Sequence, residues 1–461
     1  MPISDPTVPT PSVPPTAAVG PTLTGLAAAR LLAKLSGPLV AGGVIARRRS
    51  VMPVLEKRQT DADTVRTMLE LRREYGPGPL TLALPGRTVV IPLVAGDVER
   101  VLAQSPDLFT PANREKRAAL STFQPHGVLI SRGRARTSRR DFNEQVLDTD
   151  LPLHHLAGSI APTLRTEALG IVSDSLDNDG VLDAAVFVEG WWRVVRRVVL
   201  GDSARDDHAV TDDLWKLRAD GNWSYLRPLR RRLRDRFLDR LFDYVNDAEP
   251  LSLAGAVAAS RPDSAVDPVG QIPHWLFAFD AAGMVALRAL AVLAAQPEHL
   301  QRARDEISDL DLSQPQILPY LRACILESVR LWPTTPAILR DSTATTRWGE
   351  GDRRFEIDSD AAFLILTAFF HRDPTTIDFA DEFTPDAWLD GRMSSQLAVV
   401  PFSAGPARCP GQNLVLFVTS MILANIVAAL PNLRQTSAPP LTARSALPAT
   451  LNHYSITLKA T

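Results

Sequence analysis

From Asp97 to about Leu430, apolar residues recur at spacings of three and four, the period of helices with one buried face. Alternation with a period of two is confined to short stretches. Leu80–Leu84 and Thr88–Leu93 flank Pro85-Gly86-Arg87, a pattern that predicts a hairpin. One more short strand is expected around Ala361–Phe370. The last 25 residues alternate weakly through Tyr454, Ile456 and Leu458 and predict a terminal hairpin. Thr60–Tyr75 reads as a helix stopped by Gly76-Pro77-Gly78. The expected fold class is mainly α: a single large helical domain with small β-sheets at its edges.

The ends of the chain change this picture little. Residues 1–22 hold seven prolines among Ser, Thr and Val and predict a disordered, extended leader, which leaves 23–461 as the domain. No stretch offers ~20 clean apolar residues to span a bilayer. Leu23–Ala46 is interrupted by Arg30 and Lys34, and Leu414–Leu430, carrying Thr419, Ser420 and Asn425, reads as a buried core helix. The N-terminus lacks the basic and apolar regions of a secretory signal. With only Cys324 and Cys409 available for pairing, a reducing, cytoplasmic setting is expected.

Composition excludes several classes. The 461 residues are 45% apolar and 22% charged, enough to bury a large core and too apolar for a disordered chain. A net charge of −2 argues for neither a nucleic-acid partner nor an anionic membrane. Of the 50 basic residues only five are lysine. Their densest run, Arg227–Arg240, carries Leu226, Leu229, Leu233, Phe237 and Leu241 at helical spacing, so it reads as an amphipathic helix with its arginines on the wet side, either a solvated face or a docking surface.

Candidate chemistry concentrates in Phe402-Ser403-Ala404-Gly405-Pro406-Ala407-Arg408-Cys409-Pro410-Gly411. Two glycines and two prolines favour a rigid loop, and an apolar helical run follows from Asn413. With Pro410 at the first helical position, Cys409 would sit at a helix N-terminus, where backbone N–H groups lower a thiol pKa. Phe402 would shield the sulfur from water. A shielded, hydrogen-bonded thiolate suits a permanent axial iron ligand. A nucleophilic cysteine would want exposure and a histidine partner, and no histidine lies within ten residues. An inert buried cysteine is the remaining alternative.

The loop resembles that of the cytochrome P-450 superfamily, the haem–thiolate monooxygenases: Phe402, Gly405, Cys409 and Gly411 match Phe-x-x-Gly-x-x-x-Cys-x-Gly. Glu327 and Arg330, on one face of an amphipathic helix followed by Pro333 and Pro336, match that family's structural ion pair beneath the haem. Ile272–Ala295 is similar to its central helix over the haem, with Asp280 at the acidic position. The resemblance covers roughly residues 55–461. It implies haem b (iron protoporphyrin IX) with Cys409 as the metal ligand. It also implies haem carboxylates held by Arg136, Arg140 and Arg340, with His126 within reach, and Asp280 as the proton relay.

Three positions depart from the family pattern. Ala281 stands where a threonine is usual and lacks the hydroxyl that would steer a proton, so a water, a substrate hydroxyl or added peroxide is expected to serve. Ala407 stands where Arg or His is usual, with Arg408 displaced by one. In Phe383-Thr384-Pro385-Asp386-Ala387-Trp388, Ala387 replaces an arginine, for which Arg392 is the expected substitute.

The resemblance implies a monomeric enzyme that inserts one atom of O2 into a small organic substrate. Electrons would come from a separate ferredoxin or flavodoxin with its reductase, because the sequence contains no Gly-x-Gly-x-x-Gly fingerprint or flavoprotein-length domain. Substrate contacts are expected from Phe109–His126, from Phe277, Ala278 and Ala281, and from Thr335–Ile338, whose apolar character disfavours a highly charged ligand. The alternatives are a peroxide-driven oxygenase and a non-catalytic haem or ligand-binding protein.

Overall fold

The computed structural model describes residues 20–460. Strand β1 (Thr22–Thr24) leads into α1 (Gly25–Gly42), α2 (Met52–Arg58) and α3 (Thr60–Tyr75). The chain therefore enters the fold before the expected end of the leader: Pro21 O accepts the Thr81 N–H at 2.9 Å, and Thr22 pairs with Thr81. The rest of the leader, residues 1–19, lies outside the described residues. Strands β2 (Leu80–Leu84) and β3 (Arg87–Ile91) form the predicted hairpin, with Leu80 opposite Ile91.

Helix α4 (Ala95–Ala103), strand β4 (Phe109–Thr110), α5 (Arg114–Leu120) and α6 (Gly133–Val146) come next. The helical body follows: α7 (Ala157–Asp177), β5 (Val181–Asp183), α8 (Ala184–Leu200), α9 (His208–Gly221), α10 (Arg231–Asn246), α11 (Leu253–Ala259), α12 (Ile272–Ala295), α13 (Pro297–Ile307) and α14 (Pro319–Leu331). Then come β6 (Ala337–Ser342), β7 (Thr346–Trp348), β8 (Phe355–Ile357), β9 (Ala362–Leu366), α15 (Thr367–Phe370), α16 (Asp386–Leu389), α17 (Gln412–Ala429), β10 (Arg434–Gln435) and β11 (Thr457–Lys459). The mainly helical class with edge sheets is what the periodicity predicted.

The largest sheet runs β1-β2-β3-β9-β6-β4, a second runs β10-β11-β5, and β7 pairs with β8. Strand β9 is buried along its whole length, so it lies between neighbours at the middle of its sheet. The strand expected over Ala361–Phe370 stops at Leu366, where Thr367 Oγ1 donates to Thr335 O at 2.6 Å and the chain turns into α15. The expected terminal hairpin is also corrected. Tyr454 lies in a 3-10 turn, and β11 is sandwiched between β10 and the distant β5, with Leu458 opposite Leu182.

The arginine-rich segment differs as well. Helix α10 begins only at Arg231, and of the expected apolar stripe Phe237 and Leu241 are buried while Leu226 is 77% exposed. Its arginines are not simply solvated. Arg236 pairs with Asp213 at 2.8 Å and Arg240 with Asp207 at 2.8 Å, fastening α10 to acids on and just before α9.

The main core gathers the inner faces of α7, α8, α12, α14 and α17, and a second core lies under the large sheet. By length and composition, Val269–Ala295 and Gln412–Ala429 are long and apolar enough to cross a membrane, contrary to the sequence reading. In this fold 72% of each such window is buried in the protein interior. The back of α12 is fixed by Trp191 on α8, whose Nε1 donates to Phe279 O at 2.8 Å. A Cβ at Gly283 would meet that indole at 2.6 Å, so only glycine permits the approach.

Candidate active site

The Cys409 loop is fixed by its own backbone and by three neighbours. The Cys409 N–H donates to Phe402 O at 2.8 Å, and the Arg408 N–H to Gly405 O at 3.0 Å. Ser403 (φ 61°) and Gly405 (φ 67°) adopt left-handed conformations, and a Cβ at Gly405 would strike Leu102 O at the end of α4. From outside, Arg140 Nη1 donates to Arg408 O at 2.6 Å and Thr149 Oγ1 to Pro410 O at 2.9 Å. Asn413 Nδ2 reaches back to Leu151 O at 2.9 Å. Phe402 is half-buried against the main core.

The sequence placed Pro410 at the first position of the following helix and Cys409 at its N-terminus. In the structure α17 starts at Gln412 with Gly411 as its N-cap, so Pro410 precedes the helix. Burial pushes the Cys409 thiol up; the Gly411 N–H, and then the Arg140 guanidinium, oppose that shift without overcoming it. This corrects the expectation that the helix terminus alone lowers the thiol pKa. Cys409 would hold a metal ion as the thiolate, since the metal's positive charge would offset the cost of burying the anion.

Helix α12 is sealed on most of its circumference: Trp275, Leu276, Phe279, Ala282 and Gly283 are buried. His274, Phe277, Ala278, Ala281 and Met284 keep accessible surface. Their spacing of three and four places them on one face. Burial pushes His274 down to about 4. Cys409, whose titration burial also dominates, keeps accessible surface too, as does the link from Pro333 to Ala337 between α14 and β6.

Asp280 borders this face and is not free. Its Oδ2 accepts from Arg218 Nη2 at 2.6 Å, and the same nitrogen donates to Ile45 O at 2.9 Å. The Arg218 guanidinium also lies 4.9 Å from the centre of the Phe277 ring. Sequence reasoning missed Arg218. The available signal was its place beside Val210, Leu214 and Leu217 on the apolar side of α9, where an unpaired arginine would be costly.

The expected anionic seat divides. Arg340, 3% exposed, donates from Nε to Ser105 Oγ at 2.9 Å and to Ser403 Oγ at 3.4 Å, with no carboxylate bonded to it among the described residues. Burial, helped by Arg136, pushes it down to about 10. Arg136 is buried, its Nε has no partner, and burial and then Arg140 lower it. Arg140 has a counter-charge already, Glu144 at 2.6 Å. His126 is corrected: its ring turns outward to Asp267, at 2.7 Å, half-exposed and away from the buried arginines, because that acid lies on the loop entering α12.

Two buried guanidiniums without counter-charge, a deep thiol and an apolar helix face form a donor set with a matching group. A buried charge needs an opposite one. Haem provides two carboxylates, a broad apolar body and a thiolate-binding metal, so the residues present fit it.

Beneath this region Glu327 and Arg330 are fully buried and pair in a bidentate fork, at 2.8 and 2.7 Å. Arg330 also donates to His371 O, Ala380 O and Glu382 O. The remaining lone pairs of Glu327 are taken by the Thr384 N–H and the Trp388 indole N–H, each at 2.8 Å. Arg392 is not the substitute for the arginine missing at Ala387: it pairs with Asp390 at the surface. The sequence reading passed over Trp388, one residue beyond Ala387, although an indole N–H can replace one guanidinium donor.

A family model for Cytochrome P450 matches residues 283–445, a span that contains Glu327, Arg330, Arg340 and the Cys409 loop. "Probable cytochrome P450 4s3" of Drosophila melanogaster is 30% identical over 30% of this chain and 28% of its own length. Beta-amyrin 24-hydroxylase of Glycine max is 32% identical over 30% of this chain and 29% of its own length. The chain thus spans under a third of the length of these curated relatives. The fold is similar to a crystal structure of a cytochrome P450 (CYP102L1), with TM-score 0.69 and 16% identity over 85% of this chain and 93% of that one. It is also similar to the retinoic acid-bound cyanobacterial CYP120A1, with TM-score 0.66 and 18% identity over 87% and 94%. Residues 283–445 thus match the cytochrome P450 family, and the chain as a whole has the fold of a solved cytochrome P450 structure.

Proposed function

We propose that this protein is a haem–thiolate monooxygenase that inserts one oxygen atom of O2 into a small organic substrate, with electrons from a separate ferredoxin or flavodoxin and its reductase. The observation that carries the reading is the deep Cys409 thiol in a chain whose central helix keeps one accessible face and whose buried Arg136 and Arg340 lack counter-charge. Two reduced cysteines and a core that absorbs both long apolar helices support a cytoplasmic monomer as part of the same reading.

When bound, haem supplies the oxygen-activating chemistry, and the chain supplies ligation, orientation and proton control. Cys409 would hold the metal, its loop kept rigid by Arg140, Thr149 and Asn413. Arg136 and Arg340 would take the carboxylates. Phe277, Ala278 and Ala281 would give the substrate an apolar wall, backed by the buried Phe123, whose ring meets Phe277 edge-on at 5.6 Å. Asp280 would hold and release the proton at Oδ1, while Arg218 keeps Oδ2 in place. Ala281 offers no hydroxyl, so the proton must cross by a water or a substrate hydroxyl. That same residue favours a second reading, in which peroxide replaces O2 and the electron donor.

The test is reconstitution with haem, addition of candidate substrates and turnover with surrogate redox partners. A thiolate-type ferrous–CO spectrum lost in Cys409→Ser, with oxygenated product from at least one substrate, supports the reading. An unchanged spectrum in that variant sinks it. Product with peroxide alone favours the second reading.

A further inference from the structure

Lys116 on α5 and Arg340 on β6 converge on one oxygen. Lys116 Nζ and Arg340 Nη1 each donate to Leu339 O at 3.0 Å. Two cations on one carbonyl repel each other, and among the described residues neither bonds to a carboxylate. The acids nearby are engaged elsewhere. Asp341 Oδ1 binds Arg87 at 2.6 Å and its Oδ2 accepts the Arg114 N–H at 3.3 Å; Glu115 binds Arg87 at 2.8 Å. Arg136 on α6 adds a third buried cation close enough to lower Arg340. The Lys116 ammonium has three donors and uses one. This concentration of charge lies beside the Cys409 loop, because Arg340 also faces Ser403. The loop itself offers no cation at Ala407.

We propose that Lys116 is a third anchoring cation for the haem carboxylates, completing with Arg136 and Arg340 a seat for the anionic edge of the group that Cys409 ligates. The inference rests on the haem reading above. Lysine suits the place: a flexible ammonium can leave Leu339 O for a carboxylate, whereas the planar Arg340 is already fixed by Ser105. Without the anion, burial and then Arg340 hold the Lys116 ammonium well below its usual range, and Asp341 and Glu115 offset this only in part. Two carboxylates reverse the balance. Haem binding therefore takes up a proton here, and affinity falls as pH rises between the depressed value without haem and the restored value with it.

The experiment titrates apoprotein with haemin and with haemin dimethyl ester, whose carboxylates are blocked, in the native chain, Lys116→Met and Lys116→Arg. Lys116→Met is expected to weaken haemin binding by about tenfold or more, the size of a lost charge-assisted bond, and to leave ester binding unchanged. Lys116→Arg should retain most of the affinity. Calorimetry in two buffers of different ionisation enthalpy should show proton uptake in the native chain and its loss in Lys116→Met. Equal weakening for both ligands, or weakening for neither, overturns the proposal. Failure of the native chain to give a Cys409-dependent haem spectrum overturns the haem reading itself, and is distinct from either.

Discussion

Arg218 and Asp280 form a 2.6 Å ion pair that ties α9 to the centre of α12, with the arginine 2% exposed and the acid 16% exposed. Neither charge has another partner of opposite sign in that contact, so each depends on the other. Removing one member of a buried pair costs about 3–5 kcal/mol, while removing both costs less. Arg218→Met and Asp280→Asn are therefore expected to destabilise the fold by that order singly. The double variant should be more stable than their sum predicts. Urea unfolding of the three variants measures the coupling directly.

Ala281 lies on the accessible face of α12, one residue after Asp280. Ala281→Thr places a hydroxyl there that can pass a proton from the Asp280 carboxyl. On the proposed monooxygenase reading, the expected outcome is a larger fraction of electrons recovered in oxygenated product and less released as peroxide. Unchanged coupling would show that the native route does not depend on this position.

The Glu327 cluster separates Trp388 from Arg392. Trp388→Phe removes a hydrogen bond to a buried carboxylate and is expected to lower stability by about 1.5–3 kcal/mol. Arg392→Ala removes one member of an exposed pair with Asp390 and should change stability by less than about 1 kcal/mol. Thermal or denaturant melts of the two variants decide which residue completes the network.

His371 sets an acid limit. It is 1% exposed, its Nε2 accepts the Val400 N–H at 3.0 Å, and burial, then Arg330, pushes it down to about 3. An unfolded histidine titrates near ~6.5, so the unfolded chain takes the proton first. The stability due to the neutral ring is complete above that pH, declines as pH falls, and is gone once pH drops below about 3. The full loss is on the order of 5 kcal/mol. His371→Gln keeps an acceptor for Val400 and should flatten the decline between pH 6 and about 3, read as urea midpoints across that range.

Local patterns carried much of this molecule. The helix over Thr60–Tyr75, the hairpin around Pro85-Gly86 and the Glu327–Arg330 pair depend on neighbours within a few residues, and each formed where its spacing placed it. Elements that failed depend on distant partners. The alternation ending at Leu458 belongs to a strand whose partner is Leu182, and the arginines of α10 answer acids on and before α9. No spacing rule reports such pairings.

The same division runs through the site. The sequence by itself determined that Cys409 sits in a rigid Gly/Pro loop ahead of an apolar helix, and that the central helix carries a carboxylate among apolar residues, because both are properties of contiguous chain. Only the tertiary structure decided what those groups meet. It gave Asp280 to Arg218, turned His126 out to Asp267, let Trp388 do what Arg392 was expected to do, and left Arg136 and Arg340 without an anion. A charge takes whichever opposite charge or donor packing brings within about 3 Å, and packing joins residues that lie far apart along the chain.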